Sequence, residues 1–167
     1  MTSQASSDPF TIVPFRDEFA RAFAALNLEW LEKFELLEDG DLPYLRDPRG
    51  SIIDKGGVVL CALSNGEVVG TVAVVPLSAG TFELVKLAVA PSARGRGLGR
   101  RLTQAAIDFA SSAGAEVLTL CSSHKLREAV SLYESMGFTH TASRVGAVTY
   151  VTADVFMELS LKTRPQC

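Results

Sequence analysis

The chain reads as a single α/β domain in which extended apolar runs alternate with amphipathic helices. Three observations predict this. Short β-rich runs, among them VVLCALS, TFELVKLAVA and VLTLC, are separated by segments whose apolar residues recur at helical spacing. No internal repeat or linker composition interrupts that order. The length of 167 residues, 47% of them hydrophobic, suits one compact domain with a sizeable core.

A polar leader, residues 1–9, precedes FTIVPF (Phe10 to Phe15), which is strand-like. Phe19, Phe23, Leu26, Trp30, Leu31 and Phe34 then follow a helical period. Gly, Pro and Asp punctuate EDGDLPYLRDPRG, where turns are expected. Asn65-Gly66 within VVLCALSNGEVVGTVAVVPL is a two-residue hairpin signal. TFELVKLAVA is a third extended run and ends at Pro91. From Leu98 to Ser112 the pattern is helical, with Leu98, Leu102, Ala105, Ala106, Phe109 and Ala110 on one face and Gly114 as its stop. Val117 to Cys121 is almost wholly apolar, as a strand covered on both faces requires. REAVSLYESMG is a short helix. Phe138 to Val145 and Tyr150 to Leu161 are expected as two closing strands joined near Gly146. The domain proper is thus 10–161, with a short tail at 162–167.

Charge and composition exclude several function classes. A formal net charge of −3 gives no overall case for holding a nucleic-acid backbone. The arginines at 94, 96, 100 and 101 are a local exception without an interleaved aromatic stripe, so no nucleic-acid partner is expected. Cys61, Cys121 and Cys167 lack metal-site spacing, and no metal is expected. Cys61 and Cys121 lie in apolar runs and read as buried thiols. The N-terminus has no apolar signal-peptide core and no run is long enough to span a bilayer. A reducing cytoplasmic setting without membrane contact is the resulting expectation.

RGRGLGRR, Arg94 to Arg101, carries the chemistry. It is not a Walker loop, and it fails the dinucleotide fingerprint because Arg100 stands where the last glycine should be. It does lie between a strand ending in a proline turn and a long helix. The first amides of that helix have no intrahelical partners, glycines let a ligand approach the backbone, and the helix start attracts anions. A phosphate or pyrophosphate cradle is one reading; a turn with solvated arginines is the other.

Two motifs together narrow the choice. Arg94-Gly95-Arg96-Gly97-Leu98-Gly99 after KLAVAP resembles the acyl-coenzyme A loop of the GCN5-related N-acetyltransferases (GNAT family). LYESMGF resembles the same family's tyrosine-bearing helix that ends in Gly-Phe. They occur in the family's order and separation, and the element order from Phe10 to Leu161 agrees. The resemblance implies a single α/β domain with a mixed central sheet of about six to seven strands flanked by about four helices. It implies acetyl-CoA as co-substrate, with the loop amides of residues 94–99 holding its pyrophosphate, around which Arg94, Arg96, Arg100 and Arg101 are placed to add charge. Leu87, Ala88 and Val89 on the preceding strand are implied as pantetheine partners. Ser123 is the best match for a family asparagine at the pantetheine arm, with a shorter reach. A homodimer is common among such proteins, and no feature of this sequence establishes one.

The reaction implied is direct transfer of an acetyl group to a primary amine. Oriented amides, best that of Leu87 or a neighbour, stabilise the carbonyl oxygen. Tyr133 is implied as the general acid for the departing thiolate, against a plain packing role. Glu83 resembles the acidic position used as a base, against a solvated strand carboxylate or a partner to Lys86. His124 and His140 are alternatives suited to proton transfer near neutrality. No Ser-His-Asp or Cys-His order calls for a covalent intermediate. For the acceptor, Trp30, Phe34, Glu83 and Tyr150 are the first candidates, with Glu35, Glu38, Asp39, Tyr44, Arg46 and Thr152 beside them. Without an appended domain, a small-molecule amine such as an amino acid, polyamine or amino sugar is expected, ahead of a peptide or protein amine. A non-catalytic acetyl-CoA sensor is the other class.

Overall fold

A computed structural model of the chain describes residues 8–162. Of the expected leader only Asp8 and Pro9 fall within it, and of the tail only Lys162; Cys167 lies outside the described residues. Strand β1 (Thr11–Pro14) and helix α1 (Ala20–Lys33) open the fold. Two short helices, α2 (Leu42–Arg46) and α3 (Pro48–Ser51), precede β2 (Val58–Ser64), β3 (Glu67–Ser78) and β4 (Thr81–Val89). Helix α4 (Leu98–Ser112), β5 (Val117–Ser122), α5 (Arg127–Ser135), β6 (Thr139–His140) and β7 (Val155–Ser160) complete it.

The strands form one seven-stranded sheet in the order β1-β2-β3-β4-β5-β7-β6. Only β4 and β5 run parallel, with α4 as their crossover; every other neighbouring pair is antiparallel. This is the mixed sheet with flanking helices that the sequence predicts. The Asn65-Gly66 hairpin forms as expected, with φ of 51° and 80° at the two turn residues. Two positive values are what a tight turn between twisted strands requires.

Period-two alternation divides the core between the two faces of the sheet. On β3, Val72 and Val74 face the core with Leu98, Leu102, Ala106 and Ile107 of α4, while Ala73 and Val75 face the core with Phe19, Phe23 and Tyr44. Burying each such aliphatic side chain stabilises by about 1.5–3 kcal/mol relative to exposure. Helix α4 buries Thr103 and Ile107 in addition to the expected face, on which Ala105 and Phe109 are half-buried and Phe109 packs against the core. Its close approach is permitted by Gly70 on β3, where a Cβ would stand 2.8 Å from Leu102 Cδ1.

Two expectations need correction. EDGDLPYLRDPRG is not simply turns: Asp39–Asp41 is a 3-10 turn leading into α2 and α3, with prolines in their first turns. The two long closing strands are mostly loop, since β6 covers only Thr139–His140 and β7 begins at Val155. Their apolar residues suggest strand, yet the backbone donors find side-chain acceptors instead. Val151 N–H and Thr152 N–H donate to the Glu38 carboxylate at 2.9 and 3.0 Å, and Ala147 N–H donates to Glu83 Oε1 at 3.2 Å. Tyr150 and Thr152 therefore lie on a loop, not within the expected strand Tyr150 to Leu161.

Candidate active site

The site begins with an interruption in β4. Thr71 of β3 faces Ala88 and Ala73 faces Val85, so Lys86 and Leu87 together stand opposite Val72. This bulge puts Lys86 at a φ of 55°, in the left-handed region that a lysine rarely adopts. Pairing between β4 and β5 extends only from Thr81↔Val117 to Glu83↔Thr119, while β4 runs on to Val89 and β5 to Ser122. The strands part beyond Glu83, and a cleft of about 890 Å³ opens between them. Leu87, Ala88 and Val89 line one wall, Cys121 and Ser123 the other, and Tyr133 of α5 its side.

At the base of the cleft stands the start of α4. Gly95 and Gly97 have φ of 76° and 77°, and no atom stands within 4 Å of where their Cβ atoms would be. Gly97 is the helix N-cap, and no side chain caps the first turn. Open glycine backbone and uncapped amides at the positive end of a fifteen-residue helix fit a pyrophosphate. Gly99 instead serves packing, with Leu132 Cδ2 3.4 Å from its would-be Cβ. Leu98 lines the cleft and is buried against the sheet.

The arginines divide in their placement. Arg94 lines the cleft, its Nε donating to Val89 O at 3.1 Å and its Nη2 meeting Glu29 Oε2 at 3.1 Å. The Arg96 guanidinium lies over the Phe10 ring at 5.9 Å, and Arg100 donates to Ser135 Oγ at 2.7 Å; neither lines the cleft. Of the arginines expected to add charge around an anion, Arg94 alone lines the cleft.

Tyr133 is buried against Phe138, ring centroids 5.7 Å apart, and faces the cleft. Burial pushes its phenol well above its ordinary value, with the neighbouring Cys121 adding to the shift, so it carries its proton at neutral pH. Cys121 is half-buried, and burial pushes its thiol up to about 12. Ser123 is buried with its Oγ accepting from Lys125 N–H at 3.2 Å, so its hydroxyl is engaged locally.

Glu83 lies behind the cleft rather than on its wall. It is 1% exposed; Oε1 accepts from Ala147 N–H and Oε2 has no partner. Burial pushes its carboxyl up to about 7, against the opposing pull of the Ala147 hydrogen bond and the Lys86 charge. Both imidazoles lie elsewhere: His124 is exposed and paired with Asp154, and His140 is exposed near Glu134. Neither lines the cleft.

The far end of the cleft brings together Trp30, Phe34 and Tyr150 with Asp41 and Lys86. Lys86 Nζ donates to Asp41 Oδ1, and their side chains are 4% and 2% exposed. The acidic run from Glu35 to Asp41 thus contains a buried carboxylate. A lysine flanked by Val85 and Leu87 inside an apolar strand is the signal that could have identified the pair. Among the described residues, the Tyr150 hydroxyl is buried without a partner. Glu38, on the same run, is a clamp for the loop. Partial burial would raise its carboxyl, yet the hydroxyl and amide of Thr152 and the amide of Val151 outweigh that and hold it below the usual range. Of the other acidic-run candidates, Glu35 and Asp39 are exposed, as is Arg46 of α2.

Among the described residues, no cluster of three His, Cys, Asp or Glu side chains could hold a metal ion, and no helix is long and apolar enough to cross a membrane.

A mixed sheet split between two parallel strands, with an uncapped glycine-bounded helix start below the split, is the α/β architecture of this chain. The chain belongs to the acetyltransferase (GNAT) family, whose pattern it matches over residues 22–138. An uncharacterized N-acetyltransferase of Bacillus subtilis, YhfO, is 41% identical over 86 residues, which are 48% of this chain and 58% of that protein. The matched stretches span about half the length of the curated relatives. A GNAT-family acetyltransferase from Staphylococcus aureus superposes with a TM-score of 0.85 at 19% identity, over 92% of this chain and 99% of that one. The acetyltransferase yncA of Salmonella typhimurium, solved with its cofactor acetyl-CoA, gives 0.72 at 23% identity, over 95% and 98%.

Proposed function

We propose that this protein is an acyl-CoA-dependent N-acetyltransferase that moves an acetyl group from acetyl-CoA directly to the primary amine of a small molecule. The observation that carries the reading is the convergence, in one cleft, of an open strand edge, an uncapped helix start and a buried, protonated phenol. Acetyl-CoA supplies the acetyl thioester. The amides of residues 95–99 and the Arg94 guanidinium hold its pyrophosphate. The free edge of Leu87–Val89 aligns the pantetheine arm, and the Leu87 amide is aimed at the acetyl carbonyl oxygen.

The proton inventory balances. As the amine nitrogen bonds to the acetyl carbon and the carbon–sulfur bond breaks, the amine gives up a proton and the thiolate gains one from Tyr133. Glu83, with a carboxyl near neutrality and a free Oε2, receives the amine proton. Because Glu83 is set behind the wall, that transfer runs through a bridging water or hydroxyl. The buried Tyr150 hydroxyl, which lacks a partner among the described residues, is free to bind such a water. Cys121 is held as a thiol at neutral pH, which supports direct transfer over an acylated cysteine.

The loop at 141–154 supports a small acceptor. It is fastened to Glu38 and Glu83 over the acceptor end, and an extended peptide would have to displace it. Acetyl-CoA incubated with a panel of amines, followed by thiol release and mass spectrometry of the product, tests the proposal. Released thiol with an equal amount of acetylated amine supports it. Tight acetyl-CoA binding without transfer to any amine points instead to a sensor module.

A further inference from the structure

The acceptor end of the cleft already contains an ammonium group, and it is the chain's own. Lys86 stands on the β4 bulge and buries its Nζ against Asp41. Three aromatic rings face the same nitrogen: Tyr44 at 5.5 Å, Tyr150 at 5.6 Å and Trp30 at 6.0 Å. A carboxylate with several aromatic faces around one point is how proteins recognise organic ammonium ions. The frame behind it is also built. Thr71 Oγ1 donates to Lys86 O at 3.0 Å, Asn27 Nδ2 donates to Thr71 Oγ1 at 3.1 Å, and Trp30 Nε1 donates to Asn27 Oδ1 at 3.1 Å. Asn27 and Thr71 are fully buried. The chain maintains a left-handed lysine backbone and a desolvated ion pair here, two unfavourable features at one place.

We infer that Asp41, Trp30, Tyr44 and Tyr150 form an ammonium subsite which Lys86 fills, and that Lys86 thereby restricts the acceptor to amines carrying no second cationic group. The subsite stands on this geometry alone; its consequence for catalysis rests on the transferase reading. A second ammonium brought to the same place would meet the Lys86 charge with the Asp41 carboxylate already paired. Like charges brought close in a poorly solvated wall repel strongly. Polyamines and multiply charged amino sugars are therefore the disfavoured members of the small-amine class.

The chain has one tryptophan, Trp30, so its emission reports on the subsite. Lys86→Ala deletes a chain that n-propylammonium chloride replaces atom for atom. In that variant the salt is expected to produce a saturable change in Trp30 emission. It should also raise Tm by about 3–6 °C at ten times its Kd. n-Propanol should do neither, and wild type should not respond. Adding Asp41→Asn should weaken the response by about tenfold or more. If Lys86→Ala is unfolded at room temperature, refolding driven by propylammonium is the same positive result. No response to propylammonium, an equal response to propanol, or an equal response in wild type would overturn the subsite. In thiol-release assays on matched monoamines and diamines, wild type should favour the monoamine about tenfold, and Lys86→Ala should narrow that ratio. Diamines used as well as monoamines by wild type would overturn the specificity claim. Failure with every amine would overturn the transferase reading instead, and the emission result would still decide the subsite.

Discussion

Glu83 carries a carboxyl pushed up from an ordinary 4.5 to about 7 because it is buried with one oxygen unpaired. The folded protein therefore holds this proton more tightly than the unfolded chain does. Between about pH 4.5 and 7 the native state binds more protons, so stability falls as pH rises through that window. Glu83→Gln should remove this loss and raise stability at pH 8 by on the order of 3 kcal/mol, read by denaturant unfolding at pH 5 and pH 8. The same group should give the rate profile an ascending limb near pH 7, which Glu83→Gln abolishes; an unchanged limb would remove Glu83 from the base role. Tyr133→Phe retains the packing on Phe138 and removes the proton. Turnover should fall by about 10²–10⁴-fold with acetyl-CoA affinity nearly constant, as single-turnover kinetics and binding would show. The placement of Tyr133 on a short helix beside the cleft was legible because its motif is local, within a few residues of Gly137-Phe138. The Lys86–Asp41 pair was not, because its partners are 45 positions apart and only the fold brings them together.

At the scale of elements, the bulge in β4 and the start of α4 shape the cleft, and the loop at 141–154 lines the end proposed for the acceptor. The boundaries of α4 and the Asn65-Gly66 hairpin could be read directly, since periodicity and turn chemistry act over short distances. The bulge could not, because two residues opposing one depend on the partner strand's register. The closing strands were misjudged for a related reason. Apolar content marks Tyr150–Leu161 as extended, whereas the amides of Val151 and Thr152 are claimed by a carboxylate more than a hundred residues upstream. Glu38→Gln keeps the shape and removes the charge from these hydrogen bonds. It should raise the acceptor KM severalfold with less effect on acetyl-CoA affinity, and speed proteolytic cleavage within 141–154. A cleavage rate equal to wild type would show that Glu38 does not fasten the loop.

Over the whole molecule, one sheet joins two cores, with α4 and α5 on one side and α1 and α2 on the other. The cleft penetrates where the sheet divides, so a ligand there touches β4, β5, α4 and α5 together. Binding to the folded state alone should then raise Tm by about 5–10 °C at one hundred times Kd, read by thermal unfolding with and without acetyl-CoA. The fold class and glycine loop were accessible from the sequence because they rest on pattern and order. The charge environment was not, since burial decides which of many carboxylates and lysines are desolvated.

The central claim is that the divided sheet and the Gly95–Gly97 turn form an acetyl-CoA site. Calorimetric titration of acetyl-CoA into wild type and Gly97→Val tests it most directly. A side chain at a φ of 77° strains the turn and fills the open backbone above α4. The expected result is a single site with a Kd in roughly the micromolar range, weakened by about tenfold or more in the variant while the fold is retained. No binding to wild type at about millimolar acetyl-CoA, or equal affinity in the two proteins, would contradict the account.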